Sequence, residues 1–253
     1  MHIVACQTDI VWKDKAANRR RVGDGLGCED IPSGSLIVLP EMFEVGFTMD
    51  TDTAADDDGS SLAFLQAMAL EHQSTVLAGI VTKDSSGKGL NQAVAVAPDG
   101  RELTRYTKMH PFTPGGESER YQAGDAVKTF KLDGFTVVPL ICYDLRFPER
   151  AREAVRIGAD VIIYIASWPA ARAEHWSALL TARAIENQAY VVGVNRVGHD
   201  KNQAYPGLST IIDPQGNTIA KGDDQPTTLH ADIDADSLTS YRQAFPFLDD
   251  MRQ

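Results

Sequence analysis

The chain has 253 residues, 43% hydrophobic and 23% charged, the make-up of an ordinary globular protein able to bury a sizeable core. Its formal net charge of −11 argues against nucleic acid as a partner, because phosphate binding needs a basic face. No apolar run approaches the ~20 residues that span a bilayer. The first fifteen residues read as a strand rather than a signal peptide, so no membrane association and a cytoplasmic location are expected.

In chain order, His2–Gln7 reads as a strand and Lys15–Leu26 as a helix. Ser35–Leu39 is a short apolar strand stopped by Pro40, Ser60–His72 a helix and Thr75–Val81 a strand. Asn91–Ala97 and Glu102–Tyr106 flank the turn Pro98-Asp99-Gly100 and form a hairpin. Met109 to Gly124 reads as a long polar loop, and Lys128–Leu132 with Thr136–Ile141 as a second hairpin over Asp133-Gly134. Beyond Cys142, Pro148 opens a helix that ends at Gly158. Val161–Ala166 and Tyr190–Asn195 are apolar throughout, as strands buried on both faces are, with a helix over Ala173–Gln188 between them. Leu208–Ile212 and Thr218–Ala220 make a third hairpin, Thr227–Ile233 is the last strand, and a short helix follows. Hairpins interleaved with buried strands and helices indicate an α/β sandwich rather than a pure Rossmann pattern. No low-complexity linker divides the chain, so one domain over residues 1–253 is expected. The two halves share a rhythm of helix, buried strand and hairpin, a hint of an internal two-fold.

Three cysteines, Cys6, Cys28 and Cys142, are too few and too odd for a disulfide framework and fit a reduced compartment. Cys6, in an alternating strand, reads as buried and inert, and Cys28 as a loop residue. No Cys/His set has zinc spacing, the run Asp56-Asp57-Asp58 lacks calcium-loop spacing, and neither GxGxxG nor a P-loop occurs. No metal and no cofactor are expected.

Three polar residues directly follow apolar strands: Glu41 after LIVLP, Lys108 after LTRYT and Cys142 after VVPLI. Residues just past strand ends converge on a crevice in sheets of this kind. A thiol, with a pKa of about 8.5, must lose its proton to attack. A carboxylate can take that proton, and a cation can stabilise the oxygen that becomes negative on the attacked carbonyl. The set implies acyl transfer through a thioester. Taken singly, each residue has an ordinary reading: core cysteine, helix-start acid, solvated lysine.

The local strings decide between these readings. LPEMFEVGF around Glu41, YTKMHPF around Lys108 and ICYDLRFPE around Cys142 resemble the three signature segments of the nitrilase superfamily of carbon–nitrogen hydrolases, in the same chain order. The resemblance extends from CQTDI near the start to FPF near the end. It implies a four-layer αββα sandwich, homodimerised through helices near the nucleophile. It also implies Cys142 as nucleophile, Glu41 as general base and then acid, and Lys108 with the backbone N–H of Tyr143 as oxyanion donors. A fourth catalytic residue, a second glutamate after the lysine, falls on Glu117 in GGESERYQAGD, favoured over Glu119 by the spacing to the following Gly-Asp.

The segment SWPAARAEHWSALLTARAIENQAYVVGVNRVG resembles the bacterial ω-amidase branch, which implies hydrolysis of the terminal amide of short 2-oxo acid amides such as 2-oxoglutaramate. That substrate carries a distal carboxylate, so a second cation is expected in the pocket. Arg172 is the first candidate, and Phe43, Tyr143 and Trp168 are candidate walls. Arg146 reads as structural, paired with Asp144 or Glu149, and His175 and Trp176 as packing residues. Arg183 and Glu186, three apart on one helix, can pair, and Asn195 and Arg196 end a buried strand near the crevice. An N-carbamoyl amino acid hydrolase, an aliphatic amidase or a nitrilase would share the triad. A cysteine phosphatase needs Cys-x5-Arg, and Pro148 stands where that arginine would be. A papain-like protease would need a supported histidine, which neither His110 nor His175 provides. The non-enzymatic alternative is a binding protein on the same fold.

Overall fold

The computed structural model describes residues 1–252. Two six-stranded sheets carry it. The first takes β1 (His2–Gln7), β2 (Leu36–Val38), β3 (Thr75–Lys83), β4 (Gly89–Val96), β5 (Glu102–Thr107) and the last strand. The second takes β6 (Phe130–Leu132), β7 (Phe135–Ile141), β8 (Val161–Ala166), β9 (Tyr190–Asn195), β12 (Thr210–Ile212) and β13 (Thr218–Lys221). A separate ribbon pairs β10 (Val197–His199) with β11 (Ala204–Pro206), and the last strand is β14 (Thr227–Asp232).

The three central strands of each sheet are parallel and are joined by helices, as a parallel crossover requires. The helix α1 (Lys15–Gly27) joins β1 to β2, and α2 (Thr51–Ala54) with α3 (Ser60–Glu71) joins β2 to β3. After the single turn α4 (Glu117–Arg120), α5 (Pro148–Arg156) and α6 (Ala173–Asn187) join β7, β8 and β9. A terminal helix α7 (Ala235–Ala244) follows β14.

The strand orders, β14-β1-β2-β3-β4-β5 and β6-β7-β8-β9-β12-β13, match position by position, with three parallel strands, two antiparallel ones on one flank and one on the other. The rhythm shared by the two halves is therefore carried by topology. In this match β14 from the end of the chain stands where β6 stands in the second sheet.

Alternation explains the layers. On β1, Val4 and Cys6 face α1 and α3 with Val22, Leu26, Leu65 and Met68, whereas Ile3 and Ala5 face the second sheet. The second sheet packs its other face against Ala151, Ala154, Leu180 and Ala184 of α5 and α6. The result is the αββα sandwich that the sequence implied. Cys6 is buried, and desolvation with a contribution from Glu29 pushes its thiol up to about 12. Cys28 is exposed at the end of α1.

One local expectation needs correction, and three features go beyond the elements expected. The polar stretch from Met109 to Gly124 holds a 3-10 turn at Thr113–Gly115 and α4. The segment Thr51–Ala54 is helical, started by the Asp50 carboxylate, which accepts from Thr53 N–H. The strands β3 and β4 run on into a hairpin whose turn is held by Asp84, which accepts from the N–H groups of Ser86 and Lys88. The ribbon β10–β11 lies in a stretch to which the sequence assigned no element. The short pieces among these, α2, α4 and the two strands of the ribbon, are too brief to carry a hydrophobic period.

One backbone contact sets the placement of Glu41. Gly79, inside β3, donates its N–H to Pro40 O and accepts from Phe43 N–H, both at 3.2 Å. A Cβ at position 79 would lie 2.6 Å from Glu41 Cα and from Met42 N, so only glycine lets β3 lie this close to the Glu41 turn. Gly79→Ala is expected to cost about 1–3 kcal/mol of stability and to lower activity, since the clash falls on backbone. A denaturant midpoint and kcat matching the parent would show that the turn can move freely.

Candidate active site

The strands β1, β2, β3 and β5 share one direction, as do β7, β8 and β9. The C-terminal ends of β2, β5, β7 and β8 bring Glu41, Lys108, Cys142 and Ser167 to one locus between the sheets. Glu41, Lys108 and Glu117 are each at most 1% exposed, and Cys142 is 8% exposed.

Lys108 Nζ lies 2.8 Å from Glu41 Oε1 and 2.8 Å from Glu117 Oε2. Asn91 Nδ2 donates to Glu41 Oε1 at 2.7 Å and to Glu117 Oε1 at 2.9 Å. Backbone completes the set: Ser167 N–H donates to Glu41 Oε2 at 2.8 Å, and Phe112 N–H joins Lys108 on Glu117 Oε2. The turn of α4 places Glu117 here, and Glu119 is exposed. Sequence reading missed Asn91. The available signal was its place opposite Lys108 across the β4–β5 hairpin, where Lys108 N–H donates to Asn91 O at 2.9 Å.

Two carboxylates share one ammonium. Burial works against the Lys108 charge, but Glu117 and Glu41 outweigh it and raise the pKa well above the usual lysine range. The Cys142 thiol is held well above the ordinary cysteine value, first by burial and then by the Glu41 charge, with Lys108 pulling the other way. A thiol in this setting keeps its proton until an acceptor takes it.

Cys142 adopts φ 46°, in the left-handed region rare for a side chain with a Cβ. It follows β7 directly and opens a 3-10 turn, Cys142–Arg146, that lifts its side chain off the sheet. The Tyr143 N–H lies in the first turn of that helix, where N–H groups lack intrahelical partners. Asp144, fully buried, holds the turn. It accepts from Tyr106 Oη at 2.7 Å, Ile141 N–H at 3.0 Å, His110 N–H at 3.0 Å and the His110 ring at 2.8 Å. Burial and the Asp144 charge keep the Tyr106 hydroxyl protonated, as a donor must be. His110 is thus committed to Asp144 and stacks on Phe147 at 3.7 Å. Asp144 therefore ties the segment after Lys108 to the segment after Cys142.

The cleft above Cys142 encloses about 360 Å3, counting the part open to solvent. Tyr143, Trp168, Phe47 and Phe112 form its walls, with Gln203 of β10–β11 at the rim. Asn195 fixes the Trp168 backbone, accepting from its N–H at 2.7 Å and donating to its carbonyl at 3.1 Å. Phe43 lies elsewhere: it is buried beneath the first sheet, stacked on Phe64 at 6.0 Å, because the Glu41 turn aims it at α3. Phe47 and Phe112 take the place expected for it.

Two guanidiniums line the cleft. Arg172 lies over the Phe112 ring at 5.4 Å. Arg146 lies over the Trp168 ring at 4.8 Å and donates to His175 Nδ1 at 3.2 Å. Neither pairs with a carboxylate among the described residues. This corrects the expected pairing of Arg146 with Asp144 or Glu149, since Asp144 is already occupied by donors from β5, β7 and His110. Trp176 is fully buried as expected. Arg183 pairs with Glu186 at 2.9 Å and donates to Leu145 O at 2.7 Å, beneath the Cys142 turn. Arg196 turns away from the cleft to Ile10 O.

The comparisons with known proteins agree with this geometry. A family model described as carbon-nitrogen hydrolase matches residues 5–243. The omega-amidase YafV of Escherichia coli (strain K12) is 40% identical over 248 residues, 97% of this chain and 94% of that protein. A 2-oxoglutaramate amidase of Bacillus subtilis (strain 168) is 36% identical over 220 residues, 86% of this chain and 85% of that protein. A solved carbon–nitrogen hydrolase superfamily protein of Xanthomonas campestris, crystallised with an arsenic adduct in its active site, superposes with a TM-score of 0.92 at 33% identity, covering 100% of this chain and 97% of that one.

Asp144→Asn is expected to destabilise the protein by about 2–3 kcal/mol, because an amide cannot accept from all four donors. Urea unfolding checks this, and an unchanged midpoint would mean that the Cys142 turn holds itself.

Proposed function

The chain belongs to the carbon–nitrogen hydrolase family, and from that premise we propose that it is an ω-amidase, cleaving the terminal amide of a small 2-oxo dicarboxylate monoamide. The observation that carries the substrate class is the pair Arg146 and Arg172, two cleft guanidiniums with no carboxylate of their own among the described residues. A guanidinium is matched in charge and shape by a carboxylate, and an amide substrate with a carboxylate at its far end supplies one. The names of the relatives support the same class.

In this reading the Cys142 thiol attacks the amide carbon while its proton passes to the Glu41 carboxylate. The carbonyl oxygen becomes an oxyanion that accepts from Lys108 Nζ and Tyr143 N–H. Glu41 returns the proton to the amide nitrogen, the C–N bond breaks, ammonia leaves and a thioester remains. Glu41 then takes a proton from water as its oxygen attacks the thioester. The C–S bond breaks, the sulfur regains a proton, and the 2-oxo acid departs. Glu117 keeps Lys108 in place and charged throughout. The high proton affinity of the Cys142 thiol supports concerted transfer over a resting thiolate.

The test is ammonia release from 2-oxoglutaramate, with Cys142→Ala expected to abolish it. Glu41→Gln is expected to retain binding and block thioester formation, as read by intact mass after a single turnover. Arg172→Ala and Arg146→Ala should each raise KM by about tenfold or more for amides bearing a distal carboxylate and leave neutral amides unchanged. Equal losses on both substrate types would remove the arginines from substrate recognition.

A further inference from the structure

The catalytic cluster contains a side chain to which no step of the proposed reaction gives a task. Asn91 is 1% exposed and lies on β4, and it is not part of the cleft wall. Its Nδ2 uses both hydrogens on carboxylates, Glu41 at 2.7 Å and Glu117 at 2.9 Å. Its Oδ1 is buried and finds no hydrogen-bond partner among the described residues. The orientation of the amide is set by these neighbours, because the reverse would aim an oxygen at two carboxylates. Leaving a buried carbonyl unsatisfied is costly, so the position is spent on the two donors alone.

Charge counting shows what the donors do. Glu41 and Glu117 carry two negative charges against the one positive charge of Lys108, and all three are buried. Backbone N–H groups of Ser167 and Phe112 meet one oxygen of each carboxylate. Lys108 and Asn91 each donate to both, and Asn91 does so as a neutral linker that joins the two carboxylates without adding a charge.

We infer that Asn91 is a positioning residue that holds Glu41 aimed at Cys142 by bridging it to Glu117. The inference rests on the reading of Glu41 as the base. The amide touches Glu41 from the turn after β2 and Glu117 from α4, and Lys108 from the end of β5 bonds to both of these carboxylates. Tyr121, which also feels both glutamates, donates its hydroxyl to Thr48 O. Without Asn91, each carboxylate loses a donor, and Glu41 Oε1 is left to Lys108 alone, so the carboxylate is free to turn away from Cys142.

The experiment compares N91L, N91S and N91D with the parent by two readouts: kcat and KM across pH 5–9, and the rate at which iodoacetamide alkylates Cys142, followed on the Cys142 peptide with exposed Cys28 as internal reference. N91L is expected to lower kcat at least tenfold with KM within about twofold, and to slow Cys142 alkylation at least tenfold relative to Cys28. N91S, keeping one donor, falls between, and N91D, placing a third carboxylate against the two, slows it most. A folded N91L or N91S that alkylates at the parent rate overturns the inference, as does a rise in KM that accounts for the whole loss of kcat/KM. If N91L does not fold, N91S and N91D decide. If the parent releases no ammonia from any 2-oxo acid amide, the substrate reading fails, and the alkylation rate still tests Asn91 because it requires no turnover.

Discussion

One buried ammonium placed between two buried carboxylates is the constraint on which the rest of this structure depends. Burying ions is costly unless they are paired and their hydrogen bonds are met. Here Lys108, Asn91 and the N–H groups of Ser167 and Phe112 meet all four carboxylate oxygens. These donors come from the end of β5, from β4, from the end of β8 and from the loop before α4. No single sheet could supply them. Two sheets with strand ends at one edge, and a polar loop folded back over that edge, satisfy the cluster together.

That dependence explains where backbone strain is accepted. Cys142 at φ 46° and Met42 at φ 46° are left-handed positions beside the cluster, and a residue with a Cβ rarely holds that conformation. Each persists because its neighbours over-determine it. At Cys142 the neighbour is Asp144, which gathers donors from three segments. At Met42 it is Gly79, whose backbone bonds to both sides of the Glu41 turn and whose missing Cβ makes room for it. Strain at these points orients side chains rather than stabilising the fold, which explains why both lie at strand ends and not inside strands.

Much of this was legible in the sequence, for reasons that vary by element. Buried strands such as Val161–Ala166 announce themselves by continuous apolar runs, and the segments around Glu41, Lys108 and Cys142 by their strings. The αββα layering followed from the family resemblance and is seen in the way Val4 and Ile3 on one strand face opposite layers. Asn91 was not legible, because its task is defined by two carboxylates reaching it from 50 and 26 residues away. Phe43 was misplaced for a related reason: in a turn with a left-handed residue, two positions in sequence no longer tell which way a ring points. Arg146 was assigned to a carboxylate because Asp144 and Glu149 are close in sequence. Asp144 had been claimed by Tyr106 and His110, and competition of that kind is settled only in three dimensions.

The freed Arg146 connects the cluster to the cleft. Below Cys142 the chemistry is closed: two carboxylates, one ammonium and their donors leave no charge seeking an external partner except through the thiol. Above Cys142 the reverse holds, since Arg146 and Arg172 present positive charge on aromatic faces, a setting that orients a guanidinium without neutralising it. In a chain whose formal net charge is −11, two such groups at one small opening form a local reversal of sign. An anion approaching this surface meets repulsion elsewhere and attraction at the cleft. The same Asp144 that fixes the Cys142 turn leaves Arg146 without a carboxylate, so one buried side chain both positions that sulfur and leaves a cation at the cleft beside it.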